Sequence, residues 1–183
     1  MSDSDQGASP ENRQTDFIGR WIWGRFSALV LSIAALGLVL DQASKVWLLQ
    51  GFDLASRGSV SVIPTIDFVL VWNYGISYGL FQQESLIGRW LLALFTIGAT
   101  IALWIWAVRS NRLLTAASLA LIIGGALGNG VDRVAYGAVV DFVHFSIGDF
   151  SWYVFNLADV WIVLGAAGLL YESFTPGPNS AVK

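Results

Sequence analysis

Four long apolar stretches divide this chain, at residues 26–49, 86–108, 113–128 and 157–174. A helix needs roughly 20 predominantly apolar residues to cross the hydrocarbon core of a bilayer, and each stretch reaches or approaches that length. Every backbone N–H and C=O inside lipid must be satisfied within its own segment, so the stretches are read as helices. Composition points the same way. Of 183 residues, 55% are apolar and 13% charged, against about 45–50% and about 25% in ordinary globular chains. Folded in water, such a chain would expose apolar patches larger than soluble monomers tolerate. The expected fold is an α-helical membrane protein with four transmembrane helices. From Asn129 onward the third stretch turns polar, so its far end should reach the membrane surface or a polar cavity.

Net charge is −3, from ten basic and thirteen acidic residues without a basic stripe, which argues against a nucleic-acid partner. Cysteine is absent, excluding disulfides, thiolate metal sites and a cysteine nucleophile. One histidine leaves little material for zinc, and no His-Glu-x-x-His helix or glycine-rich phosphate loop occurs. No metal and no cofactor are expected. Residues 1–25 are polar and mixed in charge and read as a tail, of which about the first sixteen cannot bury enough apolar surface to fold. Residues 26–174 read as one membrane domain and 175–183 as a second tail. The first apolar stretch is too long for a signal-peptide core.

Basic residues set the orientation. With a cytoplasmic N-terminus, Arg13, Arg20, Arg25, Arg109, Arg112 and Lys183 fall inside, and Lys45, Arg57, Arg89 and Arg133 fall outside or at span ends. Both termini are therefore placed in the cytoplasm. Trp21, Trp23, Trp47, Trp90, Trp104, Trp106 and Trp152 lie near span ends, as an aromatic belt requires. Gly124-x-x-x-Gly128 and Gly165-Ala-Ala-Gly168 allow helices to pack closely. Residues 51–79 lack a helical pattern: Ser59-Val-Ser-Val62 alternates, Pro64 breaks the run, and 66–72 reads as a second strand. This predicts a small extracytoplasmic β-sheet between the first and second spans.

Ionisable groups in or beside membrane segments are costly, and they are functional candidates by default. Asp41 and Lys45 stand one helical turn apart and can pair, either as a structural salt bridge or in the chemistry itself. Asn129, Asp132 and Arg133 share a face at the end of the third stretch. Anchoring of Arg133 to an acid and binding of a substrate carbonyl by Asn129 and Arg133 both fit that placement. Asp141 is a lone acid in the apolar string VVDFVHF, where desolvation raises a carboxyl pKa. Asn156 can cap the fourth helix and leave Asp159 in its first turn, facing the positive end of the dipole. An outer loop can return and bring Asp141 and Asp159 together. Two such carboxylates sharing a proton can activate water and protonate a leaving group; two unrelated interface acids are the alternative. His144 is read as structural, Asp53, Asp67, Glu84 and Asp149 as solvating, and Tyr74 and Tyr78 as packing.

Taken together these segments resemble bacterial lipoprotein signal peptidase, or signal peptidase II. The matching pieces are Asp41-Gln-x-Ser-Lys45, Asn73-x-Gly75 with Gly79, Gly125-Ala-x-Gly-Asn129-x-x-Asp132-Arg133, Val139-Val-Asp141-Phe and Phe155-Asn156-x-Ala158-Asp159. They come in the family's order across most of the chain. The resemblance implies an aspartic endopeptidase of the bacterial inner membrane with Asp141 and Asp159 as its dyad. Its substrates would be prolipoproteins, cut just before a diacylglyceryl-modified cysteine, and globomycin would inhibit it. It further implies that Asn73, Asn129, Arg133 and Asn156 line the site, that Asp41, Lys45, Asp132, Gly125, Gly128 and Ala158 support it, and that the outer sheet cradles the substrate. Where the family usually reads Asn-x-Gly-Ala-Ala/Ser-Phe-Gly, this chain has Ile76 and Tyr78 in place of Ala and Phe. A small transporter subunit using the same acids would need polar groups through the bilayer, whereas these collect at one face. A scaffold without chemistry is the other rival, and it would keep working without the two acids.

Overall fold

The computed structural model describes residues 22–75 and 86–175. Arg13, Arg20, Trp21, Ile76, Tyr78, Gly79, Glu84 and Lys183 lie outside the described residues, with most of both tails. The first apolar stretch forms helix α1 (Ser27–Val46), which continues into a π-helical turn at Trp47–Gly51. One short helix follows, α2 (Leu54–Arg57), entered through Asp53 at φ 50° and left through Gly58 at φ 70°. Strands β1 (Ser59–Ile63) and β2 (Ile66–Asn73) come next, then helices α3 (Leu86–Arg109) and α4 (Leu113–Ala135). Strands β3 (Val139–Ile147) and β4 (Phe150–Ser151) lead to the last helix, α5 (Leu157–Ser173).

Among the described residues, three helical segments are long and apolar enough to cross a membrane: Ser27–Gly51, Ile87–Arg109 and Leu113–Ala135. Helix α5 has 17 residues, about 26 Å at 1.5 Å per residue, which falls short of a roughly 30 Å core. Its start is fixed by the Asn156 cap, and its C-cap is Phe174. The expectation of four full-length spans thus reduces to three long helices and one shorter one. The third stretch is longer than its apolar part suggested, because α4 keeps its helical hydrogen bonds through the polar run as far as Ala135.

Helix α4 is central and packs against α1, α3 and α5. Small residues permit this. A Cβ at Gly124 would press into the Ala34 carbonyl of α1, and one at Gly125 into the Ala158 carbonyl of α5. Val30, Ala34, Ala107, Ala116, Leu119, Ala120 and Ile123 form the buried apolar core of the bundle. Where α5 ends against the start of α4, the buried Glu172 carboxylate takes the Arg112 guanidinium at 2.6 Å and the Thr115 hydroxyl.

The sheet is larger than the sequence predicted. It has four antiparallel strands in the order β1-β2-β3-β4, so it is not confined to residues 51–79. The segment from Val139 to Ile147 joins it, pairing with β2 across some seventy residues of chain. Phe142 fixes the sheet over the end of α1, packing with Leu48 and Leu54, and an aromatic series runs Trp47–Phe52–Phe68–Phe142. One irregularity in β2 sets the site. Phe68 pairs with Val143 but Val71 pairs with Asp141, so β2 carries an extra residue between these two points. A bulge of this kind turns the following side chains to the other face. Without it Asn73 would point away from Asp141; with it the two share a face.

Candidate active site

Three elements converge where the sheet meets one end of the bundle: β3 with Asp141, the end of α4 with Asn129, Asp132 and Arg133, and the start of α5 with Asn156 and Asp159. Asn156 is the joint between them. As N-cap its Oδ1 accepts from the Asp159 N–H at 3.1 Å, while the Asp159 carboxylate accepts the Asn156 N–H at 3.1 Å, a reciprocal capping box. The same side chain donates through Nδ2 to Asp141 Oδ1 at 2.6 Å and to Asn129 Oδ1 at 3.0 Å. Asn156 and Asp141 are both buried, so these bonds form out of water.

Each oxygen of the two carboxylates has one donor among the described residues. Asp141 Oδ2 accepts from Asn73 Nδ2 at 3.0 Å, and Asp159 Oδ1 accepts from Asn129 Nδ2 at 3.0 Å. The amide orientations follow from their partners. Asn129 Oδ1 accepts from both Asn156 Nδ2 and Lys45 Nζ, so its NH2 group must face Asp159. Burial pushes the Asp141 carboxyl up to about 7; the neighbouring Asp159 charge adds to this, and the Asn73 and Asn156 hydrogen bonds oppose it.

Beneath this layer lies a buried ionic one. Lys45 Nζ sits 2.7 Å from Asp41 Oδ2, 2.7 Å from Asp132 Oδ2 and 3.1 Å from Asn129 Oδ1. An ammonium has three N–H donors, and these three acceptors use them. Both acids bond the backbone as well: Asp41 Oδ1 accepts the Ala158 N–H at 2.9 Å, and Asp132 Oδ2, besides Lys45, accepts the Val140 N–H at 3.1 Å. The pair thus holds the start of α5 and the start of β3 to α1 and α4. A Cβ at Gly128 would lie 2.5 Å from Asp41 Oδ2, so the carboxylate requires the bare glycine. Ala158, fully buried, closes the same contact.

All twelve site residues singled out in the sequence gather here. Arg133 differs in its partner. Of the two placements the sequence leaves open, no bond to an acid forms: its guanidinium donates to the carbonyls of Gly75 at 3.0 Å and Asn129 at 3.3 Å. Its neighbour Asp132 faces the bundle, where Lys45 claims it, while Arg133 lies one residue further round the helix and meets the end of β2. It remains within electrostatic range of Asp141 and Asp159. Gln42 went unrecognised: its Nε2 donates to Asp132 Oδ1 at 2.9 Å, to the Gly128 carbonyl at 3.1 Å and to Asp41 Oδ2 at 3.2 Å. Only its place between Asp41 and Lys45 could have signalled this. The Glu172–Arg112 pair was missed too, although an acid near the end of an apolar stretch is itself a signal. His144 is structural as read, against Ser151 at 2.8 Å and Asp67 at 3.8 Å. Gly75-Ile-Ser77-Tyr-Gly79 has the letter spacing of a serine-hydrolase elbow. Its serine lies outside the described residues, and the single histidine is engaged on the sheet.

A family model described as signal peptidase (SPase) II matches residues 33–175. The chain belongs to the signal peptidase II family. Among curated relatives, the lipoprotein signal peptidase of Methylorubrum extorquens is 52% identical over 154 residues, covering 84% of this chain and 89% of that one. That of Methylobacterium sp. (strain 4-46) is 55% identical over 145 residues, covering 79% and 88%. A bacterial membrane enzyme solved by the in meso method at 2.3 Å superposes with a TM-score of 0.74 at 25% identity, covering 88% of this chain and 96% of that one. The family match spans every site segment from Asp41 to Asp159, so family and geometry concern the same residues.

Proposed function

We propose that this protein is an aspartic endopeptidase that removes the signal peptide from diacylglyceryl-modified prolipoproteins, cutting just before the lipid-modified cysteine. Asp141 and Asp159 are its catalytic pair. The observation that carries this reading is Asn156, which binds both carboxylates and holds them in one hydrogen-bonded layer. The curated relatives are named lipoprotein signal peptidases, which supports the substrate class.

Peptide hydrolysis needs one carboxylate to take a proton from water and one carboxyl to give a proton to the leaving amine. Asp141, with its carboxyl raised to about 7, holds the proton near neutrality. Asp159 stands in the first turn of α5, where the helix dipole favours negative charge, and acts as the base. Water bound between them attacks the scissile carbonyl; its proton goes to Asp159, and Asp141 delivers its own to the departing nitrogen. Asn73, Asn129, Asn156 and Arg133 supply donors and positive charge around the developing oxyanion. Asp41, Lys45, Asp132, Gly125, Gly128 and Ala158 keep the three elements in register.

The fourth span is α5, with both termini cytoplasmic, in the bacterial inner membrane. The site then lies at the outer face, where a lipid-anchored substrate arrives laterally. Each methylene left in the bilayer is worth roughly 0.8 kcal/mol, so cutting at the surface avoids lifting the lipid into water. The protein works as a monomer without metal or cofactor, and globomycin blocks it. An ion path is disfavoured, because the apolar cluster from Val30 to Ile123 separates the site from the Glu172 end. The test is incubation of purified protein with lipidated and unlipidated precursor. Release of the signal peptide from the lipidated form alone, insensitive to chelator, is expected. Equal cleavage of both forms would remove the lipoprotein assignment.

A further inference from the structure

Beyond the peptidase site, the β2–β3 pair and the hairpin that follows it have two chemically distinct faces. Along β3, Asp141, Val143, Phe145 and Ile147 alternate onto one side, and Ile66 of β2 stands opposite Phe145. On that side Asp141 bonds Asn156 at the start of α5. The other side packs Phe142 on Leu48 and Leu54 near the helices, and toward the hairpin presents His144 opposite Asp67, with Ser151 against the His144 ring. The Asp141 side holds an open hollow of about 440 Å³, lined by Ile66, Val143, Phe145, Phe150, Trp152 and Phe155. At its rim Ile147 is 59%, Phe150 50% and Trp152 47% exposed.

We propose that the β3–β4 hairpin is a membrane-interface anchor, seated in the outer headgroup–acyl boundary with lipid chain filling this hollow. Position on the chain argues for lipid. Leu157, the first residue of α5, comes five positions after Trp152, so the Cα of Trp152 lies within about 18 Å of that helix start. Phe155, one of the lining residues, directly precedes the cap. The hollow therefore adjoins the start of α5, a helix that exposes Val163 and Leu164 further along. Residue type argues the same way, because a Trp with apolar neighbours suits the interface. Charge fixes the kind of contact. Residues 147–153 carry Asp149 and no basic side chain, so the attachment is apolar and independent of anionic lipid. It would fix the depth of β3, and hence of Asp141, from the end opposite the capping network.

The cysteine-free chain makes the test clean. Phe150→Cys and Ile147→Cys, each carrying a nitroxide, are compared in phosphatidylcholine nanodiscs with Leu94→Cys on the exposed face of α3 and Ala55→Cys on the exposed side of α2. Unchanged thermal unfolding establishes that each variant is folded. The reading is the ratio of collision rates with oxygen and with a water-soluble nickel chelate. Both hairpin labels should give ratios severalfold above Ala55 and approaching Leu94. Neither anionic lipid nor unlabelled precursor should change them. Ratios equal to that of Ala55 would overturn the anchor, as would protection from both reagents, which means a covering protein. Spin–spin broadening from a second copy would overturn it equally.

Discussion

Asn156 binds Asp141 through one arm and Asp159 through its cap, so the carboxylates share surroundings that neither would have alone. If they act as a unit, Asp141→Asn and Asp159→Asn should each abolish signal-peptide release, and the double variant should be scarcely worse, because members of one catalytic unit are strongly non-additive. Asp53→Asn, Asp149→Asn and Ser77→Ala should keep most activity in the same gel-shift assay; loss in Ser77→Ala with turnover by either dyad variant would move the chemistry to serine. The pH dependence has a definite sign. Asp141 must hold a proton to act as acid, so kcat/KM should fall as pH rises through about 7. Asn73 donates to the ionised form of Asp141 and lowers its pKa. Asn73→Ala should therefore carry the alkaline limb to higher pH, measured as a pH–rate profile; a shift to lower pH would reverse the assignment of the acid. At this scale the cap was legible, because Asn three residues before Asp at the head of an apolar run is a capping pattern. The direction of Arg133 was not, since helical spacing groups it with Asp132 and gives no sign that Lys45 claims that acid first.

At the scale of elements, Lys45 ties four parts of the fold together through its two acids. Its ammonium reaches α1 through Asp41 and α4 through Asp132 and Asn129, and those two acids hold the starts of α5 and β3. Removing one partner from a buried ion pair costs about 3–5 kcal/mol, because the remaining charge is stranded. Lys45→Met strands two carboxylates, so it should unfold at markedly lower temperature in detergent and lose activity. Thermal unfolding of the purified variant reads this directly; an unchanged transition would show that the acids had taken up protons or water. The pairing of Asp41 with Lys45 could be read from one-turn spacing, and β1 and β2 from local alternation around Pro64. The place of β3 in the sheet could not. VVDFVHF reads as extended, but nothing local says that its partner is a strand some seventy residues earlier. The bulge that aims Asn73 at Asp141 is likewise visible only once the register is known.

For the molecule as a whole, the two ionic clusters stand at opposite ends of one helix pair. Asn129 meets Asp159 where α4 ends and α5 begins, and Thr115 meets Glu172 where α4 begins and α5 ends. From residue 115 to residue 129 an α-helix rises about 21 Å, most of the thickness of a hydrocarbon core of roughly 30 Å. Arg112 accompanies Glu172 at the far end, three positions after Arg109, the last residue of α3. Basic residues gather on the cytoplasmic side of short loops, which is the ground for proposing this end inside and the dyad outside. Reporter fusions after Arg112 and after Lys183 should then read as cytoplasmic, and fusions at Ser59 and Ser151 as external. The C-terminal fusion decides the most. With 17 residues α5 is the marginal span, and only if it crosses do Lys183 and Arg112 share a compartment. An external signal at Lys183 would mean that α5 turns back at the outer surface. The dyad could survive that outcome, because the Asn156 network lies at the start of α5, but lateral entry of substrate beside a full fourth span could not.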